Sequence, residues 1–347
     1  MRYFHNDYNQ MCNEQVLDKL MRNSCLQMPG YGDDACCRNA AQLICNAVED
    51  KDAAVHFLVG GTQTNLTVIS AALRPHQAVI APDSAHINEH ETGAIEATGH
   101  KIIQLPHSDG KITAEQICRV IQTHYAGAAP TEHMAQPKMV YISFPTEYGT
   151  LYSYKELSEI RNACDKYGLY LYVDGARLGY GLSAKDNDVT LPMLHRLCDA
   201  FYIGGTKLGT MFGEAVVIRN KNINDDFRYI IKQHGGMLAK GWLIGIQFEA
   251  MFENGLYFEV GKQADIYADK IRNKLKMLNF PLNYSNSTNQ VFTTMPDTVL
   301  AELEKDFTYT FWSKAGEGAS LVRFCTSWAT NAEDVDALCD ALEKLTV

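Results

Sequence analysis

The chain has 347 residues, 46% hydrophobic and 21% charged, enough to pack one large domain and a smaller one. Its net charge of −10 argues against non-specific nucleic-acid binding, which needs clustered Lys and Arg to displace counterions. No apolar stretch reaches bilayer length and the start, MRYFHNDYNQ, lacks the apolar core of a secretory signal, so a cytoplasmic chain without membrane contact is expected. The ten cysteines form no CxxC pair and several sit on helix-like patterns as small hydrophobes, so neither a disulfide framework nor a metal site is expected.

The first thirty residues read as an arm without a sheet strand of its own. From about residue 35 to 220, seven apolar runs follow: AAVHFLV, QAVIAP, KIIQL, KMVYISF, LYLYVD, DAFYIGG and EAVVIR. Between them lie helical candidates such as NLTVISAALR, TAEQICRVIQTHY and SYKELSEIRNACDKYG, two of which open on a Thr or Ser cap. This alternation predicts βαβ units, hence an α/β domain with a mainly parallel seven-stranded sheet. After residue 235 the rhythm changes. A long apolar helix, a charged helix, the stretch LNYSNSTNQVFTTM, a strand near SLVRFCTSW and a final helix predict a smaller α+β domain. The expected division is an arm over 1–30, a large domain over 31–245 and a small domain over 246–347.

Ligands of open α/β sheets bind at the carboxyl ends of strands, so the residues after each apolar run matter most. HFLV is followed by GGTQTNL, where Gly60 and Gly61 admit close approach and Thr62 opens a helix. It reads as a phosphate cup or as an ordinary glycine turn with a threonine cap. LYLYV is followed by DGARLG: Asp174 at the end of a buried strand needs a partner, either Arg177 or a cationic ligand nitrogen. FYIGG is followed by Thr206 and Lys207. That lysine is either a surface-loop residue or an amine held dry for Schiff-base chemistry. One crossover separates it from Asp174, which puts both on adjacent strand ends facing one cleft. A phosphate cup, a buried acid and a dry lysine together are the set that pyridoxal 5'-phosphate needs, and His86, after QAVIAP, is placed to stack on its ring.

The chain resembles the low-specificity L-threonine aldolases, fold type I pyridoxal-phosphate enzymes of the beta-eliminating lyase and threonine aldolase group. The matching segments, in family order, are YGDD (31–34), GGTQTNL (60–66), SAHINEHETGA (84–94), PTEYGTLYS (145–153), VDGARL (173–178), GGTKLG (204–209), KQHGGMLAK (232–240) and LVRFCTSW (321–328). The resemblance implies that Lys207 forms the imine with the cofactor, Asp174 pairs with the pyridine nitrogen and His86 stacks on the ring. It implies that Gly61 and Thr62 bind phosphate, helped by Lys232 or Thr206, and that Arg177 contacts the phenolate oxygen. Arg323, with Arg177, clamps the substrate carboxylate, and Asn6 is a further carboxylate contact. His133 lies near the substrate hydroxyl as base, and Tyr31 reaches a neighbouring subunit's site, which implies a homodimer or homotetramer. The implied reaction is retro-aldol cleavage of L-threonine or L-allo-threonine to glycine and an aldehyde. A β-eliminating lyase and a non-catalytic protein keeping the fold are the rival readings. The start departs from the usual family pattern: Asn6-Asp7-Tyr8 places a bulky ring on the acyl side of the pocket.

Overall fold

The computed structural model describes residues 1–127 and 130–346. The seven expected strands form: β1 Ala54–Leu58, β2 Gln77–Pro82, β3 Lys101–Leu105, β4 Gln136–Ser143, β5 Tyr170–Asp174, β6 Ala200–Gly204 and β7 Glu214–Ile218. They make one sheet in the order β1-β7-β6-β5-β4-β2-β3. β2 to β6 pair in parallel, while β7 runs antiparallel to both β6 and β1. The runs are apolar along their length because both faces are covered. Ile80, Val140, Ile142, Leu171, Val173 and Phe201 enter one core, and their neighbours Val79, Met139, Tyr141, Tyr172 and Tyr202 enter the other.

The helices start where the sequence signals them. Thr113 with Gln116, and Ser153 with Glu156, form reciprocal capping boxes at the heads of Ala114–Ala126 and Tyr154–Tyr167. The Gly60-Gly61 turn ends β1 and opens the helix Gly61–Ala72. β2 lies between β3 and β4, so the winding direction reverses there and a crevice opens above the strand ends. At β5 and β6 the carboxyl ends of the two strands come very close. Gly204 N–H donates to Gly175 O (3.0 Å), and a Cβ at Gly175 would lie 1.8 Å from Tyr202 O. Only glycine allows Asp174 and the 204–207 turn to share one rim.

The smaller unit has a three-stranded antiparallel sheet in the order β9-β10-β8, with β8 Gln290–Pro296, β9 Thr310–Lys314 and β10 Ala319–Cys325. Helices Leu256–Met277, Asp297–Leu303 and Ala332–Lys344 accompany it. The expected break at 245/246 falls inside the helix Trp242–Glu253. Side chains as far as Ala264 join the core of the large sheet, and those from Ala268 onward join the core of the small one. We therefore propose that the boundary lies in the middle of helix Leu256–Met277.

The arm corrects one expectation. Arg2–Tyr3 forms a short parallel strand with Phe307–Thr308, so the N-terminal segment does have a sheet partner, in the small unit. Two-residue strands have no legible periodicity, and this one is fixed by a neighbour: Phe4, 1% exposed, packs in the small core beside Phe307 and Phe324. Phe4→Ala is expected to destabilise the protein by about 3–5 kcal/mol, as for other buried aromatic truncations, measured as a lower urea midpoint.

Candidate active site

A cleft of roughly 380 Å³ opens at the carboxyl ends of the parallel strands, walled by Tyr8, Gly60, Gly61, Thr62, His86, Glu147, Asp174, Arg177, Thr206, Lys207 and Glu214 among others. Each element delivers its residue by position. Asp174 ends β5, Lys207 follows β6, and Gly61 begins a twelve-residue helix whose first N–H groups lack intrahelical acceptors. Lys207 and Asp174 thus face one cleft.

Asp174 is the best-anchored group. Oδ1 accepts from Tyr202 Oη (2.6 Å) and Ala176 N–H (3.0 Å), and Oδ2 accepts from Tyr141 Oη (2.6 Å) and Asn65 Nδ2 (3.0 Å). Burial alone would raise its carboxyl. The nearby His86, the two tyrosine hydroxyls and the Ala176 N–H outweigh that and hold it below the ordinary value, so it is ionised at neutral pH. Asn65 also donates to Glu91 Oε1 (2.7 Å), which accepts from His86 Nδ1 (2.7 Å). A single polar chain therefore runs from Asp174 through Asn65 and Glu91 to His86 and sets the imidazole's orientation.

Lys207 is partly buried, and burial together with Arg177 pushes its ammonium below the ordinary lysine value, against the pull of Asp7, Asp174 and Glu214. Such a lysine is a readier nucleophile. Arg177 is held by Asp7, with Nε to Oδ2 at 2.7 Å and Nη2 to Oδ1 at 3.0 Å, and Asn289 Nδ2 donates to the same carboxylate (3.0 Å). Asp7 is fully buried; its burial works against ionisation, but Arg177, then Lys207 and Arg323, bring its carboxyl down to about 2.

Arg323 on β10 is half-buried. It donates to Gln290 Oε1 (2.8 Å), His5 O (3.1 Å) and Thr310 Oγ1 (3.2 Å), and its guanidinium lies 5.6 Å from the Trp312 ring centroid. It is not one of the residues lining the cleft, but it belongs to the small unit and lies close enough to feel the charges of Arg177 and Asp7.

Several expected residues are not in this cleft. His133 is the clearest correction. It is exposed and lines a separate groove with Lys101, Gln116, His124 and Met134. It precedes β4, so it sits at the amino end of that strand; eight residues at ~3.3 Å each put it about 26 Å from the carboxyl end where the cleft lies. Asn6 turns its side chain back to accept from Tyr8 N–H (3.0 Å), and it is Tyr8 that lines the cleft. Tyr31 and Lys232 are both exposed and lie together outside it, with the Lys232 ammonium 5.0 Å from the Tyr31 ring centroid.

Other residues were missed in the sequence. Asp7, Asn65 and Glu91 carry no local signature of their role, although Asp7 stands in the Asn6-Asp7-Tyr8 segment. Glu147 lies in the expected PTEYG segment: Oε1 accepts from Ser143 Oγ (2.7 Å) and His86 N–H (3.0 Å), and burial raises its carboxyl above the ordinary value. Glu214 was legible as an acid at the start of an otherwise apolar strand, EAVVI.

Comparison with known proteins agrees with this geometry. The Beta-eliminating lyase family model matches residues 20–298. The chain belongs to that family. It is 43% identical to Leishmania major threonine aldolase, whose solved structure superposes with a TM-score of 0.97 over 100% of both chains. It is 28% identical over 311 residues to the low specificity L-threonine aldolase of Pseudomonas sp. (strain NCIMB 10558), covering 89% of this chain and 87% of that one. A more distant fold relative, Thermus thermophilus aspartate aminotransferase, is 13% identical with a TM-score of 0.69 over 97% of this chain and 89% of that one. The family member described here is a pyridoxal-phosphate-dependent lyase of the fold type I architecture. Its cleft fits that cofactor: the space in front of Gly60 is open, the lysine is partly dry and the acid opposite is ionised.

Replacing Asp7 by Asn strands the Arg177 charge inside the protein, and an expected loss of about 3–5 kcal/mol in urea unfolding at pH 7 follows. The folded carboxylate titrates below its unfolded value, so this stabilisation is complete above about pH 4 and disappears as the pH falls toward 2. The gap between wild type and variant should therefore narrow over that window.

Proposed function

We propose that the protein cleaves L-threonine and L-allo-threonine to glycine and acetaldehyde. The observation that carries this reading is the juxtaposition of Lys207, ionised Asp174 and the Gly60-Gly61 helix start in one cleft. Supporting it is the 43% identity, over the full length, to a protein described as a threonine aldolase. Bound there, pyridoxal phosphate supplies an electron sink conjugated to the substrate Cα. Lys207 would anchor it, Asp174 would pair with the ring nitrogen, His86 would stack on the ring, and Gly61, Thr62 and Thr206 would hold the phosphate.

The chain's own groups do the rest. Arg323 and Arg177 hold the substrate carboxylate, with Asp7 occupying Nε and one terminal nitrogen of Arg177 and so fixing its plane. This hold would fix the orientation of the Cα–Cβ bond in the cleft. Glu147 replaces His133 as the proton acceptor. It sits where the lysine cleft meets a neighbouring groove lined by His90, His107, Tyr148 and Trp312, which has room for the departing aldehyde. Its free oxygen takes the β-hydroxyl proton as the Cα–Cβ bond breaks, and the bond's electron pair stays at Cα until a proton replaces it and glycine forms.

Tyr31 and Lys232 act, in this reading, on the site of a second copy in a homodimer or homotetramer, because both are exposed and neither faces its own chain's cleft. A cytoplasmic setting is the remaining expectation.

The experiment is an absorbance spectrum with and without L-allo-threonine, alongside assays of aldehyde and glycine. The wild type should show a visible cofactor band that is absent in Lys207→Ala, and it should release both products. A band that answers amino acids without aldehyde would favour β-elimination instead, and no band would favour a non-catalytic protein. Glu147→Gln should lower kcat by about 10²–10⁴-fold, as for loss of a positioned base, and keep the cofactor band. Since the Glu147 carboxyl titrates above its ordinary 4.5, wild-type kcat should climb with pH through a point above 4.5, and that limb should vanish in the variant. His133→Ala should leave kcat/KM unchanged.

A further inference from the structure

One acid in the cleft has no part in this mechanism. β7 runs against its neighbours, so its first residue, not its last, sits at the carboxyl ends of β6 and β1: Glu214 lies opposite Gly204 on one side and Leu58 on the other. Leu58 is two residues from Gly60, and Gly204 three from Lys207. Glu214 is therefore wedged between the lysine turn and the start of helix Gly61–Ala72, only 5% exposed. An acid so near an expected phosphate dianion is repelled by it unless it carries a proton.

The hydrogen bonds show how the proton would be used. Glu214 Oε2 accepts from Gly205 N–H (2.9 Å), and Oε1 is 2.9 Å from Thr206 Oγ1. Thr206 Oγ1 also accepts from Gly213 N–H (3.1 Å). A hydroxyl has one proton and two acceptor positions. With Glu214 ionised, the Thr206 proton is committed to Oε1 and turned away from any anion. With Oε1 protonated, the same 2.9 Å bond runs the other way. Both acceptor positions of Oγ1 are then filled, by Gly213 and Glu214, and its proton is free to point at the ligand.

We propose that Glu214 is a positioning residue that stays protonated while a phosphate ester occupies the helix start, and that it aims the Thr206 hydroxyl at that ester. The inference rests on the cofactor assignment made above. The surroundings favour the neutral acid in the absence of ligand as well. Burial, and Asp174, raise its carboxyl to about 8, against the pull of the Thr206 hydroxyl, the Gly205 N–H and Lys207. The buried hydroxyls of Tyr172 and Tyr202 on β5 and β6 and of Tyr257 on helix Leu256–Met277 feel the charge of Glu214; all three are raised far above the ordinary tyrosine value, first by burial, and stay neutral. The proton is therefore in place at pH 7 and is lost as the pH rises through about 8.

The test is calorimetric titration of the apoprotein with pyridoxamine 5'-phosphate, which carries the ester but forms no imine with Lys207, from pH 7 to pH 9.5. Wild-type affinity should fall above pH 8 more steeply than that of Glu214→Gln, the ratio approaching about tenfold per pH unit as for one linked proton. The amide mimics the protonated acid, donating to Thr206 and accepting from Gly205, and the ligand's own titration is common to both proteins. Parallel pH profiles would overturn the proposal and leave the cofactor site standing. Thr206→Val should bind more weakly at pH 7 and keep only the part of the extra slope that comes from direct repulsion between Glu214 and the ester; if it binds as tightly as the wild type at pH 7, or keeps the full slope, the hydroxyl is not aimed at the ester and the proposal fails. A wild type that binds no pyridoxamine 5'-phosphate at any pH would overturn the cofactor assignment itself, and this inference with it.

Discussion

A carboxylate removed from water at the end of a buried strand must be given back its hydrogen bonds, and the centre of this protein is arranged around that requirement. Asp174 takes four donors from four different places: a helix after β1, the middle of β4, the turn after β5 and the middle of β6. Tyr141 and Tyr202 are core residues of the sheet and reach the acid only because their rings lie on the face where Asn65 also packs. The core and the site are therefore one construction. A change in strand register would move those rings to the other face and leave the acid stranded.

The second constraint is the placing of cations. Arg177, Lys207 and Arg323 converge from the large and small units, and gathering three positive groups out of water is unfavourable unless a fixed anion is set among them. Asp7 is that anion, and it comes from the arm. The same arm binds the small unit through Phe4 and the Arg2–Tyr3 strand, and the large one through the bond of Asn13 N–H to Gly209 O (2.8 Å). The residues that organise the carboxylate clamp therefore also tie the two units together.

The parts of this that were legible in the sequence share a cause. Strands buried on both faces read as continuous apolar runs, and capping residues act within one helical turn, so the sheet, the capped helices and the Asp174 and Lys207 turns were visible locally. What was not visible depends on pairing between distant segments. The reversal of β7 has no local signature, and without it Glu214 is merely the first residue of a strand. Asp7 shows its purpose only once Arg177, 170 residues away, is seen to meet it. His133 was assigned to the site by resemblance alone, although its place before a strand puts it at the end of the sheet opposite the cleft.

The arm's attachment also bears on how the chain reaches this state. Phe4 N–H meets Thr308 Oγ1 across 304 residues, and its carbonyl accepts from Cys325 N–H. Closing so large a loop carries an entropic cost that no nearby contact offsets early on, and pairings of this span form late. During synthesis the first residues leave the ribosome well before their partners exist, with an apolar Phe4 uncovered and Asp7 still hydrated. The salt bridge to Arg177 must wait for a partner made 170 residues later, and the cation cluster cannot be completed until Arg323 has also been made.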